Sequence, residues 1–167
     1  MPAKREAGSE SKSKDDIMNF LILGNGPTGV IAAETLRKAD PDATIVMIGD
    51  ESEPPYSRMA IPYFLMGNIA EEGTHLRKTD GHFGQQGIQN IVARATKVDS
   101  KAKTVTLDNG QQLAYDKLLI GTGSHPLKLP VPGIGSPNVH TCWTLADARQ
   151  IAAKAQQGAR VLQIGAG

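Results

Sequence analysis

Apolar side chains recur along this chain in short continuous runs separated by glycine-rich and proline-rich breaks. Residues 17–23, Ile-Met-Asn-Phe-Leu-Ile-Leu, have the length and near-continuous apolarity of a strand covered on both faces, as in a parallel sheet. Residues 30–36 then take a helical pattern, with Pro27 suited to the first turn and residues 39–42 closing the helix. Residues 44–48 repeat the buried-strand pattern and complete a βαβ unit, with Asp50 and Glu51 at its end. Further on, residues 91–98 and 103–107 read as strands of a small meander whose hairpin turn is Asp108-Asn109-Gly110. Lys117–Ile120 reads as another short buried strand, and residues 144–157 as a helix with Thr144 as N-cap and Asp147 at the capping-box position. Residues 161–164 make a last buried strand, followed by Gly165-Ala166-Gly167.

Between the first strand and helix lies Gly24-Asn-Gly26-Pro27-Thr28-Gly29. Glycine at the first position permits the tight turn, at the second it lets backbone approach a pyrophosphate, and at the third it lets helix and strand pack closely. The helix N-terminus adds N–H groups and the positive end of its dipole, which suit an anion. An acid about 20 residues further on holds the ribose hydroxyls in such sites. Glu51 stands 51 − 29 = 22 residues beyond the last glycine. Strand, turn, helix, strand and terminal acid in this order point to a dinucleotide, where a lone glycine motif would not.

Composition narrows the classes without choosing the ligand. Eighteen basic and 17 acidic residues leave a formal charge of +1, and no basic stripe is interleaved with aromatics, which argues against nucleic acid. No apolar run reaches the ~20 residues a membrane span needs, so a cytoplasmic protein without a membrane partner is expected. Residues 1–16 carry almost nothing to bury and read as a disordered polar tail. Cys142 is the sole cysteine, so redox chemistry has to come from a bound cofactor; a buried or half-buried structural thiol is expected there. His75 and His82, with Asp80 between them, lack a third metal ligand at suitable spacing, and no metal site is expected. His125 is expected in solvent, and Trp143 in the packing of a crossover between domains.

Four segments together resemble the pyridine nucleotide–disulfide oxidoreductase superfamily, in the branch of ferredoxin and rubredoxin reductases, NADH oxidases and nitrite reductase flavin modules. They are the glycine turn, Glu51-Ser-Glu-Pro-Pro-Tyr56-Ser57-Arg58, Tyr115-Asp-Lys-Leu-Leu-Ile-Gly121-Thr122-Gly123-Ser124-His125-Pro126, and the closing Val-Leu-Gln-Ile-Gly-Ala-Gly. The resemblance covers residues 17–167. It implies an α/β fold: a Rossmann-like FAD-binding domain with a parallel central sheet and small β-meander over residues 17–158. Residues 159–167 would begin a second, NAD(P)-binding Rossmann unit, leaving the chain a fragment truncated at that point. FAD would lie against Gly24, Gly26, Pro27, Thr28 and Gly29, with Glu51 on the adenosine ribose and backbone near Ala95 on the adenine. Arg58, Thr122, Gly123 and Ser124 would line the rest of its path.

The implied activity is an FAD-dependent transfer of electrons from NADH or NADPH to an acceptor: a ferredoxin, a rubredoxin, a nitrite-reducing module or oxygen. No catalytic side chain is required, because the flavin does the chemistry. Two departures weaken any closer assignment. Where some relatives carry a redox cysteine this chain reads Met59-Ala60-Ile61-Pro62, and close to where ferredoxin reductases often carry a lysine it has Tyr63. Other readings stay open: a disulfide reductase of the same fold, disfavoured by the single cysteine; a nicotinamide-only dehydrogenase with NAD at residues 24–29; and a non-enzymatic nucleotide-binding module or inactive truncated product.

Overall fold

The computed structural model describes residues 17–165; the expected polar tail over residues 1–16 and the glycine at 167 lie outside them. In chain order the strands and helices are β1 (Asn19–Leu23), α1 (Pro27–Ala39), β2 (Thr44–Gly49), α2 (Ile61–Leu65), α3 (His82–Gln85), β3 (Ile88–Val92), β4 (Ala95–Asp99), β5 (Thr104–Leu107), β6 (Gln112–Ala114), β7 (Lys117–Ile120) and α4 (Leu145–Lys154). The chain divides into two compact units, each assembled from separated segments: residues up to Glu53 with Thr79–Thr122, and Pro54–Lys78 with residues from Gly123 on.

The first unit contains a parallel sheet of order β3-β2-β1-β7 and an antiparallel meander of order β4-β5-β6. This is the α/β class expected from the sequence, with a Rossmann-like parallel sheet and a small meander. Strand alternation divides the apolar residues between two layers. Leu21, Leu23, Ile48 and Ala93 pack with Val105 and Leu107 of the meander, and Val46, Ile91, Leu113 and Leu118 border that cluster. Ile22, Ile45 and Met47 alternate with them along β1 and β2 and are fully buried, as is Val30 of α1. Each such side chain contributes about 1.5–3 kcal/mol through burial. Arg37 closes α1 by donating to the carbonyls of Pro41 (2.6 Å), Gln86 (2.8 Å) and Gly87 (3.0 Å).

Two expected elements differ here. Residues 91–98 do not form one strand: β3 pairs in parallel with β2, the chain turns at Ala93-Arg94, and β4 joins the meander. Ile91, Ala93 and Ala95 face the same core through that corner, so the period of two continues unbroken and hides the bend. Asp108 N–H holds the corner by donating to the Arg94 carbonyl at 2.8 Å. The second difference is β7, which is an edge strand and not a buried one. Lys117 and Ile120 are exposed, and an apolar groove of about 810 Å³ lies along β7, β1 and α1, bordered by Ile31, Leu36 and Leu119.

In the second unit Tyr56, Ile61, Leu145 and Ala148 form a buried cluster, with Phe64 and Leu65 around it. Tyr56 Oη accepts from Leu145 N–H at 3.3 Å, and Arg149 reaches both oxygens of Glu71 at 2.6 and 2.8 Å. Helix α4 starts where the sequence predicts but stops at Lys154, three residues early, because Ala155 turns extended at φ −71°, ψ 106°. Residues 161–164 form no strand, and Val161, Leu162 and Ile164 are exposed; among the described residues nothing pairs with them, and a strand exists only through its neighbours. Cys142, expected at least half-buried, is exposed.

Candidate functional site

The glycine turn sits at the carboxyl end of β1, and each glycine meets a different constraint. Gly24 N–H donates to the Ile48 carbonyl at 2.7 Å, and its φ of +105° lies where side chains are strained. A Cβ there would also collide with the Gly121 carbonyl and approach Thr122 N at 3.1 Å. At Gly29 a Cβ would collide with the Gly24 carbonyl and press on Ile22 Cγ2 at 3.3 Å, so this glycine sets how closely α1 packs on β1. Gly26 is the reverse case. It has extended backbone (φ −73°, ψ −169°), and a Cβ would meet nothing within 4 Å. Neither conformation nor the protein's own packing demands glycine there; the cradle stands open to a ligand.

Gly26 is also the N-cap of α1. No side chain caps that end, Pro27 supplies no N–H, and no acid stands in the first turn, while Arg37 and Lys38 lie in the last. Helix geometry leaves the first N–H groups without intrahelical acceptors. The N-terminus therefore presents donors and positive potential to the open cradle, which suits a phosphate.

Around it, the carboxyl ends of β1, β2 and β7 bring further residues together. Gly121 N–H donates to the Leu23 carbonyl at 2.7 Å, carrying Thr122 past the turn, and the Thr28 methyl lies against Gly121. The chain leaves β1 toward β2 on one side while β7 flanks it on the other, the switch point at which open α/β sheets bind ligands. Glu51, half-buried, lies two residues past β2. Its neighbour Asp50 is held by Arg94, whose Nε and Nη2 donate to Oδ2 at 3.2 and 2.8 Å. Ala95 opens β4 and packs at the border of the meander core.

Three expected site residues belong to the second unit. Gly123 (φ +70°) and Ser124 are exposed and follow directly on Thr122. Arg58 donates to the Trp143 carbonyl at 2.9 Å and to Tyr56 Oη at 3.2 Å, and its guanidinium lies 5.1 Å from the Trp143 ring centroid and 5.6 Å from that of Tyr56. Trp143 thus serves as a platform for Arg58.

Sequence reasoning placed Gly121 in the turn after β7 but assigned no role to Gly49 or Asn25. Gly49 and Asn25 interact only across the fold, where a Cβ on Gly49 would overlap the Asn25 carboxamide. Among the described residues no three His, Cys, Asp or Glu side chains come together as metal ligands. His82 Nε2 lies 2.8 Å from Glu34 Oε1, and His125 is exposed. Although the residue is exposed, desolvation by neighbouring atoms and the charge of Asp147 push the Cys142 thiol up, the opposite of an activated nucleophile. No described helix is long and apolar enough to cross a membrane.

Comparison with known proteins gives a consistent picture. The family model described as pyridine nucleotide-disulphide oxidoreductase matches residues 18–167. The ferredoxin–NAD(+) reductase component of an anthranilate 1,2-dioxygenase system from Burkholderia cepacia is 35% identical over 149 residues, covering 89% of this chain and 37% of that protein. An NADH oxidase of Methanocaldococcus jannaschii is 30% identical over 158 residues, covering 90% of this chain and 35% of the relative. Among solved structures, putidaredoxin reductase in its covalent complex with putidaredoxin superposes with a TM-score of 0.76 at 30% identity, covering 81% of this chain and 34% of that one. The chain spans little more than a third of the length of these proteins.

Proposed function

The chain belongs to the pyridine nucleotide-disulphide oxidoreductase family, and on that premise we propose that it supplies the FAD-binding part of an oxidoreductase. The whole protein moves electrons from NADH or NADPH through the flavin to a separate acceptor. One observation carries this reading: a helix N-terminus with neither cap nor acid faces a cradle that only Gly26 keeps open, at the switch point of a parallel sheet. FAD, when bound, supplies hydride acceptance and onward transfer of electrons singly or in pairs.

This chain's own residues bind and orient. Gly26, Thr28 and Gly29 bring backbone N–H groups to the pyrophosphate, Gly24 makes the tight turn that lets the chain approach it, and Pro27 presets the helical turn behind them. Glu51 accepts from the adenosine ribose hydroxyls, with Asp50 kept aside by Arg94. Backbone at Ala95 meets the adenine. Thr122, Gly123 and Ser124 line the path beyond the turn, and Arg58, oriented by Tyr56 and Trp143, offers positive charge toward the flavin end. With one cysteine these 167 residues form no internal disulfide, so they contain no thiol pair of their own to relay electrons. The names of the relatives favour NADH as donor and a ferredoxin-type or rubredoxin-type protein as acceptor. The exposed Val161, Leu162 and Ile164 are side chains that the first strand of a nicotinamide-binding unit would bury.

Gel filtration of the 167-residue chain after incubation with FAD tests the binding part. Flavin absorbance is expected to co-elute with the protein and to be displaced by ADP. Failure to retain either nucleotide, or retention of NADH in preference to both, would sink the reading. For the whole protein, anaerobic NADH is expected to bleach the flavin, and a ferredoxin-type acceptor to restore its colour.

A further inference from the structure

Asn25 occupies the variable second position of the glycine turn, where the motif itself demands nothing. Its side chain lies directly over Gly49, the last residue of β2. A Cβ on Gly49 would overlap the Asn25 Cγ, Oδ1 and Nδ2 together, although Gly49 has no positive φ and strand backbone there accepts any residue. A side chain on Gly49 would thus displace the Asn25 carboxamide from its place, with no bar from the backbone conformation of Gly49 itself. Beyond Gly49 the carboxamide reaches β3, with Asn25 Nδ2 3.5 Å from Asn90 Oδ1, at the long end of hydrogen-bonding distance. Asn90 pairs with Met47, so it shares a sheet face with Gly49.

The turn is thereby held from both sides. On the β7 side Gly24 abuts the Gly121 carbonyl; on the β2 and β3 side the Asn25 carboxamide lies in the space over Gly49. Donors aimed in advance bind an anion better than donors that must be ordered on arrival. We propose that Asn25 is a positioning residue for the dinucleotide, its carboxamide locking the glycine turn across the sheet so that the turn's N–H groups stand ready for the diphosphate. The inference rests on the proposed FAD reading of that turn.

The test titrates FAD, and separately ADP, into the 167-residue chain and its N25A, G49A, N25A/G49A and N25D variants, with thermal melts as a check on folding. Expected are losses of about tenfold for N25A and for G49A, the upper end of what one neutral hydrogen bond contributes. The double variant should be no weaker than N25A, since the added methyl enters space the carboxamide has left. N25D keeps the shape and adds beside the diphosphate a carboxylate that stays ionised at neutral pH, so its FAD affinity should fall below that of N25A, a signature that lost packing alone does not produce. Wild-type affinity in N25A, fully additive losses in the double variant, or an N25D affinity at or above that of N25A would overturn the positioning role while FAD binding stands. Absence of FAD and ADP binding in the wild-type chain would overturn the underlying reading, and this inference with it.

Discussion

Two helix N-termini in this chain meet the same physical problem in opposite ways. Every helix begins with N–H groups that have no partner within it. Helix α4 satisfies them internally. Thr144 Oγ1 accepts from Asp147 N–H at 3.1 Å, and Asp147 Oδ2 accepts from the Thr144 and Trp143 N–H groups, both at 3.0 Å, and from the Thr141 hydroxyl at 2.9 Å. Burial alone would raise the Asp147 pKa, but these hydrogen bonds hold it below the ordinary carboxylate value. Helix α1 has none of this: a glycine at the cap, a proline next, and no acid in the first turn. One end is neutralised by its own carboxylate, while the other keeps its positive potential for an incoming anion. A helix N-terminus therefore becomes informative about function only when it is known what already occupies it.

The contrast can be broken most completely at Gly24. Gly24→Ala adds a side chain at φ +105° and drives it into the Gly121 backbone. The cost should be about 3 kcal/mol or more, read as a fall in urea midpoint together with loss of FAD binding. Gly26→Asp sharpens the comparison by giving α1 the kind of cap α4 has. The position has extended backbone and empty space, so the protein should gain about 0.5 kcal/mol in thermal unfolding, while FAD affinity falls roughly a hundredfold or more. A loss of affinity accompanied by a loss of stability would show that Gly26 serves packing after all.

The converse change, Asp147→Ala, opens α4 and should cost about 1 kcal/mol without altering the affinity of the glycine turn for ADP. Because folding depresses the Asp147 pKa, its contribution is complete above the unfolded carboxylate value near 4 and disappears as the pH falls through the lower folded value. Wild type should therefore lose stability below about pH 4 more steeply than Asp147→Ala, which acid denaturation of the two proteins would reveal. The smallest effect is expected at Arg149→Ala. Its bidentate pair with Glu71 is largely exposed, so the change should cost under about 1 kcal/mol and be masked by salt.

Much of this was legible along the chain. Local periodicity placed β1, α1 and β2, and the cap chemistry of α4 was visible in Thr144 and Asp147, three residues apart, because both signals depend on neighbours in sequence. The spacing of Gly24, Gly26 and Gly29 likewise carries its own logic of turn, approach and packing. Tertiary structure decided what depends on residues distant in sequence. It bent the run after Ile88 from one sheet into another, left β7 at an edge, and gave residues 161–164 no partner strand among the described residues. Only it distinguished the three glycines, since two are enforced by backbone lying against them while the third faces open space that the chain itself does not fill. The juxtaposition of Gly49 and Asn25 belongs to the same class: 24 residues separate them (49 − 25), and no local rule relates a glycine to the side chain that will come to lie over it.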